Sequence, residues 1–139
     1  MRDNRRGFSL IELLIVLAII AILAVITIAP AGKAVEAARE NAAIRTINTI
    51  HQAESLHLAR LARYAATLTE LGAAGFISKD LAEGKKSNYL FSVTAAPDGY
   101  TVLAVPQSSS GRSFYSDASM IIRESGTKEP ANANSPEIK

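Results

Sequence analysis

The sequence contains no cysteine, which excludes a disulfide framework, a thiolate metal site and a cysteine nucleophile together. It also carries little net charge. The formal +2 comes from Arg2, Arg5 and Arg6 set against Asp3, and beyond Gly7 twelve basic residues face twelve acidic ones. A body that is close to neutral gives no electrostatic footprint for nucleic acid, so the pI of about 9.0 does not support nucleic-acid binding. A phosphate-cradling glycine loop, zinc-ligand spacing and an EF-hand run are missing as well. Of the 139 residues, an opening apolar run takes about thirty out of any soluble core, so one small domain at most can follow and a two-domain enzyme does not fit.

The residues that remain for chemistry are few. His51 and His57 stand six apart on a segment with helical pattern, about 240° around a helix, and cannot share one metal ion as an i, i+4 pair would. Both are expected at the surface or half-buried. Ser108, Ser109 and Ser110 lie in a low-complexity loop, while Asp98 and Asp117 are better explained by turns than by calcium. A nucleophile needs a base and an oriented third group, and no such set is legible. No catalytic residue, metal or cofactor is assigned, and the chain is not expected to be an enzyme.

What the sequence does have is the stretch from Phe8 to Ala29, almost all Leu, Ile, Val and Ala. At about 1.5 Å per residue it makes roughly 33 Å of helix, enough to cross a bilayer. Three arginines precede it, which places the N-terminus in the cytoplasm and everything after Pro30 outside. A secretory signal peptide would have a shorter apolar core followed by a small-x-small site, for which Ala29-Pro30-Ala31 is a poor candidate. A plain single-pass anchor fits the length but gives no reason for Glu12, because a carboxylate in lipid costs a few kcal/mol unless it is paired or near the interface. A helix N-terminus favours a nearby carboxylate, and that alone is one explanation of Glu12.

Arg5-Arg6-Gly7-Phe8-Ser9-Leu10-Ile11-Glu12-Leu13-Leu14 closely resembles the class III leader junction of type IV pilins and their pseudopilin relatives. The resemblance covers the leader, the cleavage site and the whole first helix. It implies that a prepilin peptidase cuts between Gly7 and Phe8 and methylates the new amino group of Phe8. It further implies that Glu12 meets the Phe8 amine of a neighbouring subunit during filament assembly, and a charge pair shielded from water is strongly attractive. The implied function is a structural subunit of a type IV pilus or related filament. The alternatives are a type II secretion pseudopilin or minor pilin, and a monomeric membrane-anchored periplasmic binding domain. The implied partners are further copies of the chain, the peptidase, the pilus or secretion assembly machinery and, before assembly, inner-membrane lipid. Assembled, the filament would be extracellular or periplasmic. Two features of many relatives are absent, the acidic calcium-binding C-terminal loop of major secretion pseudopilins and the C-terminal cysteine pair of many type IVa pilins. Aromatic residues make up only 6% of the chain, which gives no support for a conductive filament.

The expected layout is a leader over residues 1–7, a hydrophobic transmembrane and assembly helix over 8–32, a globular domain over 33–123 that includes the second half of the helix, and a flexible tail over 124–139. Pro30, with Gly32 close behind, predicts a helix kink between Thr27 and Gly32. Lys33 to about Tyr64 reads as amphipathic helix, with Val35, Ala38, Ala42, Ile47, Ile50, Leu58 and Leu61 as its apolar face. If the helix continues through Pro30, residues 8–64 span about 85 Å, the long stalk that the resemblance implies. Thr67 to Leu71 predicts a short helix. Two hairpins follow, Tyr89–Thr94 with Tyr100–Val105 and Ser113–Ser116 with Met120–Arg123, and their sheet needs the helix as cover. The fold class is therefore α+β, the pilin fold, with a long N-terminal helix packed through its second half on a small antiparallel sheet.

Overall fold

The computed structural model describes residues 7–26, 31–126 and 129–139. It divides into two compact units, Met1–Ala34 and Val35–Lys139. Helix α1, Leu10–Ile26, is 17 residues of Leu, Ile, Val and Ala with one acid, Glu12, in its first turn. From Leu10 to Val25 every large apolar side chain is exposed. At about 1.5 Å per residue α1 rises roughly 26 Å, and among the described residues no helix is long and apolar enough to cross a membrane. Pro30, where the kink was expected, lies outside the described residues. Gly32 is the second residue of the next helix, α2, Ala31–Leu61.

Helix α2 is the cover of the sheet. Its buried side runs through Ala43, Thr46, Ile47, Ile50, Ala53, Glu54 and His57, spaced by threes and fours. Only Ile47 and Ile50 of the expected apolar face are on it, whereas Val35, Leu58 and Leu61 are 48%, 39% and 53% exposed. The stripe that packs contains polar residues, so a pattern drawn through apolar residues alone rotates away from it. The helix ends at Ala62, whose φ of 56° turns the chain into a left-handed corner.

Beyond the corner come two short helices, α3 (Leu68–Ala73) and α4 (Lys79–Ala82). Thr67 caps α3 by accepting from the Glu70 amide at 3.2 Å. Five antiparallel strands follow in sequence order: β1 (Lys85–Lys86), β2 (Tyr89–Ala96), β3 (Gly99–Pro106), β4 (Ser113–Asp117) and β5 (Arg123–Ser125). Between β1 and β2, Ser87 and Asn88 both take positive φ, the two-residue hairpin turn whose twist matches the strands. The β2–β3 ladder runs from Tyr89↔Pro106 to Ala96↔Gly99, so that hairpin reaches right up to Pro97-Asp98. The inward row Tyr89, Phe91, Val93, Tyr100, Val102, Ala104 and Phe114 forms one core with Ala43, Ile47, Ile50 and Ala53 of α2, closed by Leu68, Leu71 and Leu81.

The second hairpin differs from its expected form. Met120 sits at φ 64° and donates its amide to Asp117 O at 2.9 Å, so Met120 to Ile122 belong to the turn and its exit, and β5 pairs Tyr115 with Arg123. The tail also differs. Glu124 donates to Pro136 O at 2.9 Å and Ile138 to Ile122 O at 3.0 Å, Ala131 is buried, and Ile138 packs on the core. The residues expected as a loose extension instead cover the outer edge of β5, where an unpaired strand would present bare amides and carbonyls.

Candidate functional site

The residues singled out at the junction share one turn. Gly7 and the exposed Phe8 lead into Ser9, and Ser9 caps α1. The Glu12 carboxylate accepts from the Ser9 amide and from the Ser9 hydroxyl, both at 3.2 Å, while the Glu12 amide donates back to Ser9 Oγ at 3.3 Å. This is a reciprocal capping box, and Ser-Leu-Ile-Glu has its spacing. Ser9 is the residue the sequence reading passed over, although the S-x-x-E signal was in view. Glu12 is thus satisfied within its own chain, by the serine that directly follows Phe8. Gly32 stands apart from this turn, at the start of α2, and a side chain there would meet nothing within 4 Å.

The second unit holds three polar clusters, and both histidines belong to them. Contrary to expectation, His51 is 3% exposed and His57 fully buried, because the packed side of α2 is wide enough to take both. His51 Nε2 lies 2.8 Å from Ser116 Oγ and Nδ1 lies 2.6 Å from the Tyr100 hydroxyl. The Ser116 hydroxyl spends its proton on Ile121 O at 2.9 Å, so it accepts from Nε2–H and leaves Nδ1 to accept from Tyr100. This has the membership of a serine–histidine dyad with the proton on the wrong nitrogen. Ser116 is fully buried and is not part of the open groove formed by Asn48, His51, Gln52, Ser55, Leu56 and Met120. The trio pins α2 to β3 and β4 instead of presenting a nucleophile.

Burial holds the His51 pKa below its ordinary value, and the Asp117 carboxylate only partly offsets this. The folded chain therefore keeps His51 neutral where the unfolded chain already binds a proton. Stability is present above the unfolded value of about 6.5 and falls as pH drops below it. The urea midpoint should decline from about pH 6.5 to 5, and His51→Asn should flatten that decline. A variant with the wild-type slope would refute the assignment. Below about pH 4.5 the carboxylates held low, Glu40 and Glu70 beside arginines and Asp117 by Ser119, add their own acid sensitivity.

The second group is Arg112, which ties three elements together. Its amide donates to Glu40 Oε1 at 3.0 Å, its Nε and Nη2 to Glu40 Oε2 at 3.1 and 2.8 Å, and its Nη1 to Glu124. The third gathers Glu54, His57, Arg63 and Glu70 at the α2 corner. His57 Nδ1 donates to Arg63 O at 2.7 Å, the Ala65 amide to Glu54 Oε2 at 2.8 Å, and Arg63 pairs with Glu70. Among the described residues no group of three or more His, Asp or Glu is placed to hold a metal ion. Asp117 accepts from the Ser119 amide at 2.9 Å, as its turn requires, and Ser108 donates to Ser110 O at 2.8 Å within its loop.

An exposed apolar helix with a capped acid at its start therefore precedes the α+β unit in the chain. The family model of the prokaryotic N-terminal methylation motif matches residues 2–28, and the segment is the class III prepilin leader of type IV pilins and pseudopilins. No curated protein and no solved structure matches the chain. The α+β architecture, a long helical region followed by a five-stranded antiparallel sheet, agrees with the pilin fold. The motif is that of a type IV pilin-like or pseudopilin protein, and it implies a membrane-anchored precursor, a prepilin peptidase and filament assembly.

Proposed function

We propose that this chain is a structural subunit of a type IV pilus or related filament, held in the inner membrane by a single N-terminal span until assembly. The observation that carries this reading is α1, in which every large side chain from Leu10 to Val25 is exposed. A helix apolar all round is at home only in lipid or among other helices. The peptidase cuts between Gly7 and Phe8 and methylates the Phe8 amine, after which α1 leaves the membrane to pack with its equivalents. Glu12 sets the register by pairing with the Phe8 amine of a neighbour. The work is assembly and not catalysis, since the buried polar groups of the second unit face the core.

The capping box sharpens the test of Glu12. Glutamine keeps the S-x-x-E/Q cap but removes the charge, whereas alanine removes both. Glu12→Gln should be processed normally to a Phe8 start and yet enter filaments at least tenfold less, because stranding one member of a pair shielded from water costs about 1.4 kcal/mol or more. Quantifying sheared filaments and sequencing their N-termini reads both outcomes. Normal filaments from Glu12→Gln would reduce the acid to a helix cap and remove the assembly role. Scarcity of the wild-type chain in sheared surface filaments would favour the pseudopilin or minor-pilin role instead.

A further inference from the structure

The corner at the end of α2 contains an arrangement that stability alone does not explain. Glu54 and His57 are both fully buried, one helical turn apart, yet Glu54 Oε1 and His57 Nε2 have no hydrogen-bond partner. Their other atoms are fully committed. Glu54 Oε2 accepts from the Ala65 amide, and His57 Nδ1 donates to the Arg63 carbonyl. Both bonds grip the connection that turns at Ala62 and leads to α3. Opposite His57 Nε2, at 3.6 Å, stands Glu70 Oε1, which is itself engaged by Arg63.

On α2 itself lie His51, committed to Tyr100 and Ser116, and Arg60, whose guanidinium stacks 5.2 Å over the Phe76 ring. The connection contributes Arg63 and Tyr64, α3 contributes Glu70, β3 contributes Tyr100, and β4 contributes Asp117, which acts on both His51 and Tyr100. The arginines are spent on Glu70 and on Phe76. Without a further proton, Glu54 Oε1 and the His57 Nε2 lone pair have no donor, and Glu54, Glu70 and Arg63 carry one net negative charge between them. With one more proton, on Glu54 Oε1, the corner is neutral and that oxygen becomes a donor.

We propose that Glu54 and His57 form a proton-operated latch on the connection between α2 and α3: with one proton held by the pair the connection is clamped through Ala65 and Arg63, and loss of that proton to water releases it. Burial raises the Glu54 pKa, only partly countered by the Ala65 amide and His57, which agrees with a carboxyl that keeps its proton in the folded chain. The sign is opposite to that of His51. The folded corner binds more protons than the opened one, so its closure is complete below the ordinary carboxylate range and weakens as pH rises through the folded value. Release would also lift Tyr64, whose ring stacks 4.9 Å from Tyr100, and so uncover the edge of the His51 trio.

The test is amide hydrogen exchange of the full chain in detergent, normalised to the intrinsic rate of each amide, following Ala65 and Ala66 between about pH 5 and 9. One proton of difference allows the open population to rise up to tenfold per pH unit. Glu54→Gln keeps an acceptor for Ala65 and should abolish that rise, while exchange in β2 and β3 follows the wild type. Infrared spectroscopy of the wild type gives a reading that does not depend on the variant folding. A protonated-carboxyl band should be present at low pH and disappear over the range in which Ala65 opens. A corner whose open population is flat with pH, a Glu54→Gln variant with the wild-type rise, or a band that titrates apart from the opening would each overturn the latch.

Discussion

Gly7→Leu leaves full-length precursor in the membrane fraction, with mature chain starting at Phe8 reduced roughly 100-fold or more. The magnitude follows from placing a four-carbon side chain where a peptidase subsite takes a hydrogen, since even one excess methylene in a fitted pocket is worth about 1–3 kcal/mol. The structure makes this experiment clean. A side chain added at Gly7 meets nothing within 4 Å, and its φ needs no left-handed conformation, so the substitution disturbs neither α1 nor the second unit. Loss of processing then reports recognition by the peptidase and not misfolding. Immunoblotting against the precursor and N-terminal sequencing check it. Wild-type amounts of a Phe8 start would show that this glycine is not the recognised residue.

Phe114→Ala has the largest effect expected on the second unit. Phe114 is fully buried on β4, between the Tyr89 ring at 6.1 Å and the Arg112 guanidinium at 5.8 Å. Its register partners are Ala104 on β3 and Glu124 on β5. No neighbouring element can close on the space, because α2 is fixed to the same strand through Glu40 and Arg112 and through His51 and Ser116. Truncation of a buried phenylalanine costs about 3–5 kcal/mol, roughly 12–20 °C of melting temperature at about 4 °C per kcal/mol for a domain of this size. Leu90→Ala, on the outer face of β2 and 43% exposed, should cost under about 1 kcal/mol. Near-ultraviolet circular dichroism through a thermal scan distinguishes them. Equal losses from both would mean that the core is not centred on the inward row of the sheet.

How much of this was legible in the sequence depends on distance along the chain. The apolar run, the amphipathic helix after it, the short helix near Thr67 to Leu71 and the β2–β3 hairpin are local patterns, and each is present in the structure near its expected place. What escaped notice depends on residues far apart. Nothing around His51 announces Tyr100 and Ser116, which lie 49 and 65 positions away, and nothing around Glu40 announces Arg112, 72 positions away. Glu36 and Glu40 carry like charges four apart on one helix, and the partner of Glu40 is the distant Arg112. The two-residue strand β1 carries only lysines and has no strand signature of its own. The tail has few apolar residues, and much of its attachment rests on backbone hydrogen bonds that composition does not record. At the N-terminal site the reverse holds. Gly7, Phe8, Ser9 and Glu12 are consecutive enough for their chemistry to be read directly, and only the capping by Ser9 needed coordinates.

That capping changes what Glu12 contributes to an assembly. A neighbour's amine that takes the carboxylate must first draw it away from Ser9, so a bond is exchanged and the gain is the difference between two occupied states. In the proposed filament the acid would select which neighbour fits, while cohesion would come from the apolar surface of α1. A subunit that withdraws can return the carboxylate to its own Ser9 and leave no stranded charge behind. The same turn that makes the contact specific also makes it reversible.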